Sequence, residues 1–189
     1  MNLRVISPEG HFENEAMIIQ ALIDAGLKHY HCRKPKMNEA EFLAYLHTLP
    51  KACLAHLVYH NKNQQWHQDF GFEQLHGDYQ SCQPGIIYSK SCHSMPEFNQ
   101  AKGYHTAFLS PIFDSISKSN YPALPNLKQV LAQRSNFATQ LCALGGVRQE
   151  DLTQLNDLGF QASALMGAIW QSPNPTKYFE SCMKIVNSF

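Results

Sequence analysis

The chain has 189 residues, 44% hydrophobic, 11% aromatic and 16% charged, which is enough apolar material for a core and too little charge for a disordered polymer. Fifteen Lys and Arg balance fifteen Asp and Glu, so no basic excess points to nucleic acid. Apolar runs such as Ala162–Trp170 fall short of the ~20 residues that cross a bilayer, and residues 1–10 show no charged-then-apolar leader. The expectation is a cytoplasmic protein with one domain over residues 1–189 and neither nucleic acid nor membrane as a partner.

Short apolar runs alternate with segments of helical periodicity. Leu3–Ile6 reads as a strand and Glu13–Ala25 as a helix with Ala16, Ile19, Leu22 and Ile23 on one face. Tyr30–Cys32 and Asn38–Thr48 repeat the pair. Further strands are expected at Ala55–His60, Gln74–His76, Gly85–Ser89, Thr106–Ser110, Gln140–Leu144 and Ala162–Met166. Helices are expected near Asn63–Phe70 and over Met95–Lys102, Leu124–Gln133, Gln149–Leu158 and Pro175–Val186.

Eight alternating units mean a parallel sheet covered by helices, either open and doubly wound or closed as a (β/α)₈ TIM barrel. At about 24 residues per unit, the length suits a minimal barrel with short loops. Cys32, Cys53, Cys82, Cys92, Cys142 and Cys182 form no C-x-x-C pair and read as reduced core thiols.

Ligands of parallel α/β sheets bind beyond the carboxyl ends of the strands, and those positions are polar here. They hold His31, Arg33, Lys34 and Lys36, then His60 and Asn61, then His76 and Asp78, then Ser91, His93 and Ser94, then Ser110, Ser115, Ser117 and Lys118. Arg33 with Lys34 or Lys36 on one loop and Lys118 on another can converge on a polyanion, with Ser91, Ser115 and Ser117 between them. Gly145, Gly146 and Gly167 lie where backbone amides can approach a second phosphate. His31, His60, His76 and His93 also offer a three-histidine zinc set, against which stands their wide spacing in sequence. Ser91 and Cys92 lack the glycine pattern of a nucleophile elbow.

Five segments, Cys32-Arg33-Lys34-Pro35, Ser91-Cys92-His93-Ser94, Ser110–Lys118, Ala143–Val147 and Leu165–Ile169, together resemble thiamine phosphate synthases (thiamine-phosphate pyrophosphorylases) and their TenI-like relatives. That resemblance implies a barrel transferase of thiamine biosynthesis. Such enzymes join hydroxymethylpyrimidine diphosphate to thiazole phosphate, releasing diphosphate and forming thiamine phosphate. By position, Arg33, Ser91, Ser117 and Lys118 would hold the diphosphate, with Lys34 or Lys36 as a second cation and Lys34 preferred. His31 would contact the pyrimidine and Ser115 the thiazole, while the amides at Gly145, Gly146 and Gly167 would take the thiazole phosphate. His93 or His76 is a candidate general acid or base.

The family also binds magnesium through acidic residues after the third and fourth strands, where this chain offers Asn61 and Asp78. The alternatives are a thiazole tautomerase-like enzyme, although the tautomerase histidine falls at Pro111, and a catalytically degenerate barrel that binds phosphate ligands as a regulator. Association into a homo-oligomer is a further expectation, with Tyr59, Trp66 and Tyr121 as exposed aromatics for an interface.

Overall fold

Closure of the eight-unit pattern is complete in the computed structural model, which describes residues 1–60, 69–80, 83–114 and 123–189. The elements run β1 (Asn2–Ile6), α1 (Glu15–Asp24), β2 (Tyr30–Cys32), α2 (Glu39–Thr48), α3 (Lys51–Leu54), β3 (Leu57–Tyr59), β4 (Gln74–His76) and β5 (Ile87–Cys92). They continue with α4 (Met95–Gln100), β6 (Thr106–Leu109), α5 (Leu127–Ala132), β7 (Gln140–Ala143), a 3₁₀ turn at Gln149–Asp151, α6 (Leu152–Asp157), β8 (Ala162–Leu165), α7 (Gly167–Trp170) and α8 (Pro175–Val186). Every strand pairs in parallel with its sequence neighbours, and β1 closes on β8 with Asn2 opposite Ala162 and Val5 opposite Leu165.

Three helix starts follow directly from local sequence. Asn38 caps α2 in a reciprocal box, its side chain accepting from the Glu41 N–H while the Glu41 carboxylate accepts from the Asn38 N–H. Ser94 and Asn174 cap α4 and α8, each with proline in the first turn, where its missing N–H costs nothing.

Three elements differ from the sequence expectation. β5 runs on to Cys92, so Ser91 lies within a strand. The short helices α3 and α7 fall below the length at which periodicity can be read. Most of the helix expected at 63–70 lies outside the described residues.

Strand side chains alternate between two cores. Leu3, Val5, Tyr30, Leu57, Tyr59, Leu141 and Leu165 face the helices and pack with Ile19, Leu22, Phe42 and Phe179. Tyr59 is therefore a core residue, only 1% exposed, and not an interface aromatic, because its place in β3 turns it under α2. Trp66 and Tyr121 lie outside the described residues. The five described cysteines are free and buried.

Ile6, Phe108, Cys142, Ala162 and Ala164 form a smaller second cluster inside the barrel. Arg4 crosses this interior from β1 to β6, donating to Thr106 Oγ1 at 2.8 Å and resting over the Phe108 ring. His29, His31 and His76 share the interior, and burial holds all three below the ordinary imidazole range.

A buried ion pair ties the β2 end to α1. Lys34 Nζ donates to Glu15 Oε2 at 2.6 Å and to the Gly10 carbonyl at 2.9 Å, with its side chain fully buried. The hydroxyls of Tyr30 and Tyr45 donate to the other carboxylate oxygen at 2.7 and 2.8 Å. Four hydrogen bonds thus satisfy two charges removed from water, which is the condition for a buried pair to be tolerated.

Two outcomes follow. Lys34→Ala strands the Glu15 carboxylate and should cost about 3–5 kcal/mol, measured by urea denaturation, whereas an unaltered midpoint would contradict the role given to the pair. Burial pushes His29 to about 4 and His76 to about 3, below the roughly 6.5 of an unfolded histidine. The unfolded chain then binds more protons between those values, so stability is full above about pH 6.5 and declines as pH falls towards 3. Equal denaturation midpoints at pH 7 and pH 4.5 would refute this.

Candidate functional site

At the carboxyl end of the barrel the strands deliver polar side chains to one rim. Ser7, just after β1, fixes the β2 loop: its Oγ donates to the Arg33 carbonyl and accepts from the Arg33 N–H, both at 2.8 Å. The Arg33 guanidinium stays partly exposed and meets Glu9 at 2.8 Å. Ser7 and Glu9 were not among the sequence candidates, since a lone serine and glutamate in a loop carry no spacing signal.

Below this rim three histidines from consecutive strands come together. His31 Nδ1 lies 2.8 Å from His60 Nε2. The His60 and His76 rings stack with centroids 4.0 Å apart and planes 10° apart. Phe108, from across the barrel, meets His31 and His76 edge to face at 4.9 and 5.1 Å. His76 also touches β5, with Nδ1 3.0 Å from Ser89 Oγ and Nε2 3.1 Å from Ser91 Oγ.

Burial is the largest cause that lowers each of the three pKa values. The neighbouring imidazoles then add to it at His31, and Arg33 at His60, while Arg4 lowers His76 and Asp78 opposes it. All three rings are neutral at neutral pH. His31 is wholly buried, whereas His60 and His76 reach partly into solvent. A ligand entering from the rim therefore meets His60 and His76 first, and His31, expected to contact a pyrimidine directly, stands behind them.

Several other sequence candidates are placed differently from expectation. Lys34, preferred as the second cation, is engaged with Glu15 beneath the loop, because its side chain turns inward towards α1 while Lys36 stays exposed. Asp78, expected as a metal ligand, is an exposed residue paired with Lys90 at 2.6 Å and does not join the histidines. His93 is exposed in the turn before α4, with Nδ1 3.3 Å from the Ser110 carbonyl, and stays apart from the other three. Asn61, Ser115, Ser117 and Lys118 lie outside the described residues.

The glycine pair has a packing explanation. A Cβ on Gly146, at φ 68°, would stand 2.4 Å from the Asp114 carbonyl oxygen, and one on Gly145 2.9 Å from Pro111 Cα. The N–H groups of Ile112 and Phe113 donate to the carbonyls of Leu144 and Gly145, at 2.9 and 3.0 Å, drawing the two loops together. Gly167 opens α7, its carbonyl accepting from the Gln171 N–H.

The described residues do not fit the magnesium site that the resemblance implies. A hard divalent ion takes about six oxygen ligands, and Asp78 supplies one carboxylate already shared with Lys90. Among the described residues, the one group of three metal-ligating side chains is His31, His60 and His76. No helix among the described residues is long and apolar enough to cross a membrane.

No protein-family model matches the chain, and no curated protein does. Solved structures match in fold. A thiamine phosphate pyrophosphorylase from Bacteroides thetaiotaomicron is 24% identical, with 99% of this chain and 98% of that one covered at a TM-score of 0.78. A thiamine phosphate pyrophosphorylase from Pyrococcus furiosus is 16% identical, with 99% and 96% covered at 0.76. A 3-hexulose-6-phosphate synthase from Salmonella typhimurium is 14% identical, with 100% and 99% covered at 0.71. The chain thus has a (β/α)₈ fold shared with these structures.

Proposed function

We propose that this barrel is a thiamine phosphate synthase-like transferase, joining a pyrimidine diphosphate to a thiazole phosphate with diphosphate as the leaving group. The observation that carries the reading is Arg33, held by Ser7 at the carboxyl-end mouth of a barrel matched end to end by two thiamine phosphate pyrophosphorylases. A guanidinium on a braced backbone can exchange its Glu9 partner for a diphosphate and bind it through paired N–H donors. Ser91 Oγ, exposed on β5, is a second donor on the same rim.

In this reading the C–O bond to diphosphate breaks, the pyrimidine methylene becomes an electrophile, and the thiazole nitrogen supplies the electron pair for the new C–N bond. The protein's task is to hold the departing polyanion and orient the two rings. Arg33, Lys118, Ser117 and Ser91 take the diphosphate, with Lys36 in place of Lys34 as the further cation. His60 and His76 are the partly exposed, neutral rings that the pyrimidine would meet, and by the resemblance Ser115 would contact the thiazole and the Gly146 and Gly167 amides the thiazole phosphate.

The engagement of Lys34 with Glu15 favours a second reading, a barrel that binds phosphate ligands without synthase chemistry, as a regulator would. One assay separates the two. The purified protein is given both substrates, with and without Mg²⁺, and thiamine phosphate is followed by mass. Product that falls about 10²–10³-fold in Arg33→Ala supports the transferase, as does its loss in Lys118→Ala. Tight calorimetric binding of either substrate without product supports the binder, and absence of both product and binding overturns both readings.

A further inference from the structure

The transferase reading uses His60 and His76 as rings against a pyrimidine, which leaves the close nitrogen contact between His31 and His60 unexplained. His31, His60 and His76 each bring one ring nitrogen to within 4.8 Å of the other two, and the tightest pair is 2.8 Å apart. Nitrogens around a tetrahedral ion at 2.0–2.1 Å stand about 3.3 Å apart, so the cluster is close to ligating separation, and the stacked His60 and His76 rings must turn out of parallel to aim at one ion. His31 Nε2, the nitrogen that does not meet His60, is a second sign: it is fully buried and finds no hydrogen-bond partner among the described residues. A buried polar atom without a partner costs free energy that a bound ion, or a ring turned towards one, would remove.

We infer that His31, His60 and His76 hold one divalent transition-metal ion, zinc foremost, with an open coordination position facing the rim. The donor set selects the metal. Three imidazoles suit zinc, cobalt, nickel and copper, whereas magnesium and calcium require oxygen.

His76 has its outer support in place, since whichever nitrogen meets the ion, the other lies against Ser89 or Ser91 Oγ. The open side is where His60 and His76 reach solvent, with His31 closing the floor.

The test uses the untagged full chain, stripped with chelator, with no substrate present, so its outcome is separate from that of the transferase reading. Zinc is titrated calorimetrically and counted by elemental analysis, and Co²⁺ is added as a visible-absorption reporter. One equivalent, with the ligand-field bands of a four-coordinate ion, is expected. His60→Ala and His76→Ala should each weaken binding by at least the roughly 100-fold that loss of outer-shell partners alone can reach. His11→Ala and His47→Ala, at exposed positions, should leave it unchanged. Absence of stoichiometric binding, or binding that survives both cluster variants, overturns the inference. If either cluster variant fails to fold, the wild-type imidazole NMR signals decide. Perturbation of the three cluster histidines by one equivalent of zinc supports the site, and perturbation of exposed histidines alone overturns it.

Discussion

The pairing of β1 with β8 is the constraint on which the rest of the molecule depends. Four residue pairs, from Asn2–Ala162 to Val5–Leu165, join the first and last strands and remove both edges of the sheet. Once closed, a parallel barrel has one carboxyl-end rim, so residues as far apart in sequence as Ser7, Arg33, His60 and Ser91 become neighbours. Closure also creates an interior that side chains alone can fill.

That interior departs from a purely aliphatic packing, and its polarity shapes the chemistry. Small residues on β7 and β8, Cys142, Ala162 and Ala164, leave space on one side that Phe108 and Arg4 occupy. The opposite side is filled by His31 and His76, with His60 above them. Dry surroundings keep these rings neutral, and neutral rings can lie against one another and against an arginine without strong repulsion.

Charge at the rim is rationed by pairing. Lys34 and Glu15 neutralise each other below the surface, Asp78 and Lys90 do so above it, and Arg33 is tethered to Glu9 by a contact that solvent can reach. Exchange of partners is cheapest for the last of these, because its charges are still partly hydrated and its desolvation cost is small. Arg33 is thus better suited than Lys34 to meet an incoming anion, although the two are adjacent in sequence.

Periodicity and spacing in the chain by themselves determined the eight β/α units, the closed barrel suggested by their length, and the strand ends at which polar residues gather. These are local or additive properties: apolar alternation is imposed by backbone geometry, and Asn38, Ser94 and Asn174 cap their helices through contacts three residues away. Only the tertiary structure decided where side chains point once the barrel closes. It sent Lys34 inward and left Lys36 out, buried Tyr59, filled the space beside Gly146 with the Asp114 backbone, and selected three of the candidate histidines for one cluster while leaving His93 apart. The physical reason is that each outcome depends on contacts between strands or loops distant in sequence, and no pattern within a single segment encodes which of its side chains will meet them.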